Sequence, residues 1–278
     1  ITFLSDILPL RNDSGKLVSI GGWARDISHY KRTHQELERA RQQADELNRA
    51  KSSFLATMSH EIRTPMNGVV GSLDLLRISQ LDDSQKQLID TVNESAFSLL
   101  TIINDILDFS KIESGKLEFD LTPVSLERLL VSVAASLTPN ARQKSAELLI
   151  FTDVDMPEVK ADLVRLRQII SNLVSNAIKY NKIGGYIDIE TKNNLISIKD
   201  NGIGIQENMV DKIFDPDYQM ELAIKRDHVE SGLALPVCRA IIEQHGGRIV
   251  PESRGSNMGT IMHISLPINL QEGLRKID

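Results

Sequence analysis

The stretch FLATMSHEIRTP, residues 54–65, continues an apolar pattern with the spacing of a long amphipathic helix. Apolar side chains recur on alternating steps of three and four at Tyr30, Leu37, Ala40, Ala44, Leu47, Phe54 and Met58. Thr33 and Lys51 occupy the gaps in this seam. Such heptad spacing is typical of a coiled coil, and charged residues fill the other faces of the helix. We therefore expect a parallel dimer here rather than a single solvated helix.

The sequence that follows predicts a second long helix. The first helix extends to about Leu76, and turn-forming residues follow at 79–83. Between Ser84 and Ile112 one face is apolar, with Leu88, Ile89, Val92, Ala96, Leu99, Leu100, Ile103, Ile106, Leu107 and Phe109. Two long helices with a short connection form an antiparallel hairpin, and two such hairpins form a four-helix bundle.

Beyond Leu117 the pattern changes to mixed helices and strands. Helices are predicted near residues 126–143, 162–180, 208–214 and 235–244. Strands are predicted at residues 147–152, 186–190, 195–199, 247–252 and 260–266. Because most of these strands are joined as hairpins, we expect a two-layer α/β sandwich rather than a doubly wound parallel sheet. The fold class expected for the chain is α+β: a dimeric antiparallel four-helix bundle of two helical hairpins, followed by this sandwich.

The first 29 residues predict two strands around the turn at residues 12–15. Fewer than 30 residues cannot bury a core alone, so these strands must pair with something else. The pattern, which ends in RDIS before the charged helix, resembles the last strands of a PAS sensor domain.

The composition excludes several classes of protein. A length of 278 residues favours about two domains, and a net charge of −6 argues against a nucleic-acid binder. The single cysteine, Cys238, excludes an internal disulfide framework and is typical of a reducing compartment. No apolar run approaches the ~18 residues of a spanning helix. We expect a cytoplasmic chain, attached to a membrane only through segments outside it.

His60 is the first candidate for chemistry. It lies two positions beyond Met58 and therefore points away from the seam, toward solvent. Glu61 can hold one ring N–H, which leaves the other nitrogen free for nucleophilic attack. Thr64, one turn further on, can orient a water or a phosphoryl oxygen. Pro65 has no backbone N–H, so the carbonyl of Glu61 lacks its helical donor and the helix is weakened beside His60. Taken alone, an exposed histidine on a helix is more often inert than catalytic.

Two further motifs place polar groups suited to a nucleotide. Asn172 and Asn176 lie four residues apart on one face of the helix at 162–180, with Lys179 three residues on. An amide carbonyl is an oxygen ligand suited to Mg²⁺, and a lysine suits phosphate. The motif DNGIGI at residues 200–205 follows a predicted strand. Its glycines allow close backbone approach to a nucleotide, but its spacing matches neither a P-loop nor a Rossmann fingerprint.

These motifs resemble those of the sensor histidine kinases over residues 30–270. SHEIRTP at 59–65 is similar to the phosphoacceptor box, most closely that of the hybrid kinases. Residues 162–180 resemble the asparagine box, residues 200–205 the first glycine box, and residues 214–219 the phenylalanine box. The resemblance implies a homodimeric helical domain and an ATP-binding domain of Bergerat type. It also implies that ATP phosphorylates His60 and that the phosphoryl group passes to an aspartate of a response-regulator receiver, in cis or in trans.

The resemblance further assigns roles to individual residues. Its catalytic set is His60, Glu61 and Thr64. Its nucleotide-binding set is Asn172, Asn176, Lys179, Tyr180, Asp200, Gly202, Gly204, Arg226, Gly232 and Leu233, with Mg²⁺ on Asn176 and the adenine amine on Asp200. The implied domains are PAS-like strands (1–29), a coiled-coil linker (30–51), a dimerisation and phosphotransfer hairpin (52–120), an ATP-binding domain (121–272) and a tail (273–278).

Three positions depart from the family pattern. Asp217 stands where a second aromatic is usual, and Glu230 and Ala234 replace two glycines around Gly232. A lid at 220–229 separates these positions and keeps Lys225 and Arg226. The departures favour a rival function, an ATP-weak scaffold or phosphatase-biased homologue that acts by heterodimerisation or through Glu61 and Thr64. The intact His60, Asn176 and Asp200 favour the kinase, and the phosphoacceptor helix disfavours an ATP-hydrolysing machine.

We predict that restoring the glycine turn, Glu230→Gly with Ala234→Gly, strengthens ATP binding. Like charges 4 Å apart repel by roughly 4 kcal/mol at an effective dielectric near 20. The repulsion between the Glu230 carboxylate and the phosphates should be smaller, because the Glu230 side chain can turn into solvent. ADP should gain less than ATP, and each new glycine costs up to ~1 kcal/mol of helix stability. Calorimetry at fixed Mg²⁺ and salt on the wild type, both single variants and the double variant tests this. Equal affinity in all four proteins would contradict it.

Overall fold

The computed structural model describes residues 3–153, 158–192, 194–225 and 231–267. The chain forms two compact units, Ile1–Phe54 and Leu55–Asp278. Among the described residues, every helix is too short or too polar to cross a membrane. Two sets of residues in these predictions lie outside the described residues. One is 226–230, which contains Arg226, Glu230 and the last part of the expected lid, and the other is the tail at 273–278.

The first unit begins with an antiparallel hairpin of β1 (Phe3–Arg11) and β2 (Leu17–Asp26), as the sequence predicts. The side chain of Asn12 shapes the turn, because its Oδ1 accepts from Lys16 N at 2.9 Å. Almost every residue of the hairpin is exposed. Helix α1 (Ser28–Arg77) follows.

In the second unit, the part of α1 that follows Phe54 forms the predicted helical hairpin with α2 (Asp83–Glu113). Asp82 caps α2 through a capping box with Gln85, which explains why the helix begins where it does. Across the hairpin, Arg63 Nη2 donates to Asn104 Oδ1 at 2.8 Å. Several apolar side chains of this hairpin are at least 40% exposed in the single chain: Met58, Val69, Val92, Phe97 and Leu99.

The rest of this unit is the predicted two-layer sandwich. Its helices are α3 (Leu126–Gln143), α4 (Leu163–Lys179), α5 (Pro216–Lys225) and α6 (Ala234–Gln244), with a 3₁₀ helix at Glu207–Lys212. Its strands are β3 (Thr122–Val124), β4 (Glu147–Phe151), β5 (Val159–Ala161), β6 (Tyr186–Lys192), β7 (Leu195–Asp200), β8 (Arg248–Glu252) and β9 (Thr260–Ser265).

The main sheet has the order β4-β6-β7-β9-β8, and only the β4–β6 pair is parallel. Helices α3, α4 and α6 pack against it. Ile187, Ile189, Ile196 and Ile198 alternate along β6 and β7 with less buried residues, so they form the inner face of the sheet. This alternation is the reason that one face packs on helices while the other meets solvent.

The structure differs from the sequence prediction in three elements. The short helix predicted at 208–214 is a 3₁₀ helix that ends at Lys212. The first part of the expected lid, 220–225, is helical and belongs to α5, which begins at Pro216. Pro suits the first position of a helix, and Asp215 Oδ1 accepts from Tyr218 N at 3.2 Å there. The β3–β5 pair was not predicted, because strands of three residues are too short to show a period.

Asp162 fixes the start of α4. Its Oδ1 accepts from Val164 N at 2.9 Å and Arg165 N at 3.1 Å, and its Oδ2 accepts from Asp120 N at 3.1 Å. Burial alone would raise the pKa of Asp162, but these backbone N–H groups and the Arg165 charge outweigh burial and hold the pKa below 3.8. The ionised carboxylate therefore stabilises the fold.

We predict that Asp162→Ala lowers the free energy of unfolding by about 1–2 kcal/mol, as loss of a helix cap does. A group with a depressed pKa stabilises the fold above its unfolded pKa and loses that effect as pH falls. The difference in free energy of unfolding between Asp162→Ala and the wild type should therefore persist from about pH 7 to about pH 5 and become smaller only below about pH 4. Ser125→Ala is the matched control, because Ser125 caps α3 through one long 3.4 Å hydrogen bond. Urea unfolding in which the two variants lose equal stability would contradict the assignment.

Candidate functional site

A pocket of about 370 Å³ opens between α4, the end of β7 and the loop that follows β7. Four residues predicted from the sequence line it: Asn176, Tyr180, Asp200 and Gly204. Sequence reasoning missed its other walls, among them Leu173, Ile198, Met209, Ile213, Gln219, Leu235, Thr260 and Met262. These residues are mostly apolar, and an apolar residue in a pocket has the same sequence signal as one in the core.

Asp200 places a carboxylate in the wall of this pocket. Its Oδ1 accepts from Gly202 N at 2.8 Å. Burial raises the pKa of Asp200, and hydrogen bonds from the backbone of Gly202 and Thr260 only partly oppose that rise. A half-buried acceptor of this kind can select a ligand that brings its own N–H donor.

The glycines of the DNGIGI loop serve backbone packing. A Cβ on Gly202 would lie 2.3 Å from the carbonyl oxygen of Tyr180, and a Cβ on Gly204 would lie 2.2 Å from that of Gly255. Gly204 also has a φ of +65°, which favours glycine. The positions that a Cβ would take at Gly202 and Gly204 are filled by the end of α4 and by the loop before β9. Gly204 also lines the pocket, and the close approach of its backbone to a nucleotide stays a prediction.

A second, more polar cleft of about 960 Å³ lies beside the pocket, between α2, α4 and the start of α6. Asn176 and Tyr180 line both cavities, and Asn172 and Gly232 line only the cleft. Asn172 Nδ2 donates to the buried Cys238 Sγ at 3.9 Å, which fixes one side of its amide. The asparagine face of α4 therefore runs from the pocket into the cleft.

Three of the described residues predicted to bind the nucleotide lie outside both cavities: Gly202, Lys179 and Leu233. The Lys179 ammonium lies over the Tyr180 ring, 5.0 Å from its centroid. Leu233 is buried, at 4% exposure. Its amide donates to Ser231 Oγ at 3.1 Å and its carbonyl accepts from Val237 N at 2.9 Å. Leu233 therefore shapes the turn before α6 from within the core.

His60 is exposed on α1 and lines neither cavity. Thr64 lies one turn from His60, as expected, and its Oγ1 donates to the carbonyl oxygen of His60 at 3.1 Å. Within the described part of the chain, no hydrogen bond joins Glu61 to His60. Neighbouring residues on a helix point in different directions, so the expected contact between the Glu61 carboxylate and the His60 ring is not formed.

Of the three departures from the family pattern, Asp217 lies in the first turn of α5 and is exposed. A carboxylate is favourable at the start of a helix, so Asp217 has a structural role there and does not enter the pocket. Ala234 begins α6 and lines the cleft. Glu230 lies outside the described residues, so its effect on a nucleotide stays a prediction.

Comparison with known proteins identifies both parts of this unit. Residues 50–115 match the His Kinase A (phospho-acceptor) domain. Residues 161–270 match the histidine kinase-, DNA gyrase B- and HSP90-like ATPase family, so the pocket belongs to an ATP-binding domain.

The curated relatives are sensor kinases. Over 227 residues the chain is 43% identical to the sensor protein GacS of Pseudomonas syringae pv. syringae, covering 78% of this chain and 25% of GacS. Over 245 residues it is 39% identical to the signal transduction histidine-protein kinase BarA of Escherichia coli K12, covering 84% of this chain and 27% of BarA. The chain thus spans about a quarter of the length of the curated relatives it matches.

Solved structures that are similar to this chain are also those of histidine kinases. Full-length ShkA in complex with AMPPNP is similar with a TM-score of 0.62 and 30% identity, covering 77% of this chain and 45% of that one. The histidine kinase ThkA in complex with the response regulator protein TrrA is similar with a TM-score of 0.52 and 26% identity, covering 95% of this chain and 74% of that one.

Proposed function

The chain belongs to the sensor histidine kinases, and on that premise we propose that it uses ATP to phosphorylate His60 and passes the phosphoryl group to an aspartate of a response-regulator receiver. One observation carries the proposal. An exposed histidine on a phosphoacceptor helix occurs in the same chain as a pocket lined by the half-buried Asp200 carboxylate and by Asn176, with Asn172 in the adjoining cleft. The comparisons favour this kinase over the scaffold, which is supported only by the three sequence departures at Asp217, Glu230 and Ala234.

The pocket suits adenine. The Asp200 carboxylate would accept from the exocyclic amine of the base, while Leu173, Ile198 and Met262 would contact its faces. The base would be held by one directional hydrogen bond and by apolar contact. The ribose and phosphates would then extend past Tyr180 and Asn176 toward the cleft, because these two residues line both the pocket and the cleft.

The asparagine face suits a divalent cation. Asn176 lies where the pocket meets the cleft and would hold Mg²⁺ through its amide oxygen, with Asn172 on the same face one turn earlier. A bound Mg²⁺ supplies charge neutralisation for the phosphates. Gly232 would lie near the phosphates at the cleft wall. The phosphate roles of Arg226 and Lys179 remain predictions.

The chemical step needs one nitrogen lone pair of His60. That lone pair forms the N–P bond as the bond from the γ-phosphorus to its bridging oxygen breaks, and ADP leaves. The other ring nitrogen then releases its proton. Glu61 would accept that proton after a rotamer change, while Thr64, bonded to the His60 carbonyl, keeps its oxygen lone pairs available. In transfer to a receiver, the aspartate carboxylate replaces the imidazole on phosphorus.

Partner and domain assignments follow from the same premise. The exposed apolar residues of the hairpin would be covered in a homodimer, which is the arrangement the heptad seam predicts. The ThkA complex with TrrA supports a response regulator as the second partner. We propose residues 52–120 as the dimerisation and phosphotransfer domain and residues 121–272 as the ATP-binding domain.

We predict that His60 is the only phosphorylated residue. His60→Gln should remove all label from γ-labelled ATP, because no other side chain offers a nucleophile in the phosphoacceptor position. His34→Gln is the matched control, since His34 is an exposed histidine on the same helix that pairs with Glu38. Gel autoradiography after acid and alkali treatment measures this. Label that persists in His60→Gln, or label that resists acid, would contradict the proposed function.

We predict that Asp200→Asn lowers ATP affinity at least tenfold, about 1.4 kcal/mol, while the unliganded protein is at least as stable as the wild type. Burial raises the pKa of Asp200, so its ionised form costs stability above the unfolded pKa, and a neutral isostere removes that cost. ATP affinity of the wild type should fall as pH drops below this raised pKa, because the protonated carboxyl no longer accepts well.

Asp188→Asn is the control for Asp200→Asn. Burial also raises the pKa of Asp188, but Asp188 lies on β6 outside the pocket. Calorimetric titration of both variants with ATP, together with their unfolding curves, separates recognition from folding. Normal ATP affinity in Asp200→Asn would overturn the assignment of the adenine site.

A further inference from the structure

Two exposed histidines lie in the first two turns of α1, where the heptad seam begins. His29 directly precedes Tyr30, the first seam residue, and His34 directly follows Thr33, the second seam position. In the heptad they occupy a g and an e position, which flank the a and d residues of the seam. Both histidines therefore lie at the border of the surface that a second copy of the chain would cover.

The heptad register brings these two histidines together across a dimer. In a parallel coiled coil, a g residue of one helix faces the e residue that is five positions further along the other helix. His29 therefore faces the partner subunit's His34, and the two-fold symmetry of a homodimer repeats this pair on the other side of the seam. Within one helix, residues five apart point about 140° away from each other, so a single chain cannot bring the two rings together.

The next g and e residues along α1 support this register. Glu36 faces the partner subunit's Arg41, and the two charges are opposite. Within the part of the chain that the structure describes, neither Glu36 nor Arg41 forms an ion pair in its own chain. The parallel dimer therefore gives both charges a partner that the single chain does not provide.

The contacts of His34 leave one of its ring nitrogens for a ligand. Its Nε2 lies 3.4 Å from Glu38 Oε1, one turn along the helix. A carboxylate beside one nitrogen favours the proton on that nitrogen, so Nδ1 keeps its lone pair. The Tyr30 ring stacks on the imidazole, with 6.1 Å between centroids and 5° between planes. Histidines that bind metals in proteins have this arrangement, with one nitrogen on the metal and the other on a carboxylate.

The backbone of His29 is fixed, whereas its ring is available. Asp26 Oδ1 accepts from Ser28 N at 2.8 Å, and Thr33 Oγ1 donates to the carbonyl oxygen of His29 at 3.1 Å. These two hydrogen bonds hold the first turn of α1. Among the described residues, none forms a hydrogen bond or an ion pair with the His29 ring. Its nitrogens can therefore bind a cation.

We propose that His29 and the partner subunit's His34 together bind a divalent transition-metal cation such as Zn²⁺, at what we call the head site, twice per dimer. Imidazole nitrogen is a preferred ligand of such cations, and water completes the coordination. Within the described residues of a single chain, no group of three or more His, Cys, Asp or Glu side chains could hold a metal ion, so the head site needs two chains. The inference rests on the homodimer of the proposed function. A bound cation fixes the spacing of the two α1 helices between the β1–β2 hairpin and His60.

Calorimetric titration of the full chain with Zn²⁺, without nucleotide, tests the head site. His29→Gln and His34→Gln should each bind Zn²⁺ roughly tenfold or more weakly than the wild type, because each head site then keeps one imidazole. His263→Gln is the matched control. His263 Nε2 also lies 3.4 Å from a carboxylate, that of Glu252, but its Nδ1 is hydrogen-bonded to Ser197 Oγ at 2.9 Å. This variant should bind Zn²⁺ at the head site as tightly as the wild type does.

Mixed dimers test whether the two ligands come from different chains. Co-expression of His29→Gln and His34→Gln with different affinity tags allows dimers with one chain of each variant to be isolated. Such a dimer has one complete pair, formed by His29 of one chain and His34 of the other, and one pair without histidines. Tight Zn²⁺ binding should therefore return at about half of the wild-type stoichiometry.

Three outcomes would overturn the head site. Wild-type affinity in both single variants would place the cation elsewhere, and mixed dimers without tight binding would show that the pair does not form across the seam. Sedimentation equilibrium that shows only monomers would reject the dimer and the head site together, whereas a dimer that does not bind Zn²⁺ would reject the head site alone. The expected binding pattern would support the head site even in a chain that takes no label on His60, because the titration needs no ATP.

Discussion

The packing of α4 on the sheet is the constraint on which the rest of this protein depends. One face of α4 is apolar and inaccessible to solvent, with Leu166, Ile169, Ile170 and Val174 all 0% exposed. Complete burial of each such side chain contributes about 1.5–3 kcal/mol. Because the apolar face is fixed against β6 and β7, the other side of the helix has one orientation only. The asparagines are consequently presented to the cavities by the same packing that holds the domain together.

The start of α4 is tied to its surroundings by one imidazole. His245 Nε2 accepts from Asp162 N at 3.0 Å, and His245 Nδ1 donates to Ile241 O at 2.8 Å, so the ring is neutral with its proton on Nδ1. Phe119, from the segment that joins α2 to β3, meets the ring edge-on with 4.5 Å between centroids. The end of α6, the start of α4 and the connection from the hairpin therefore meet at a single buried residue.

Local signals in the sequence were sufficient for most of the helices and strands. Helix α3 was predicted at both ends and α4 to within its caps, because a period of 3.6 residues coincides there with Ser125 and Asp162 as capping residues. The contacts that organise the site are long-range. Arg165 and Asp108 are 57 residues apart, and the pair leaves no local trace. The packing role of Gly202 and Gly204 was missed for the same reason, since their partners are backbone atoms from distant loops.

That loop packing bears on how inhibitors of this protein could gain selectivity. The backbone at Gly202 and Gly204 is packed against Tyr180 and residues 255–259, and of the two glycines Gly204 alone lines the pocket, so a compound there meets little glycine surface. It would meet the thioether side chains of Met209 and Met262, which are polarizable and adjust their rotamers to many shapes. The pocket therefore tolerates many different ring systems in the part of a compound that binds there. Discrimination from other ATP-binding proteins would have to come from groups that reach Asn172 and the polar cleft.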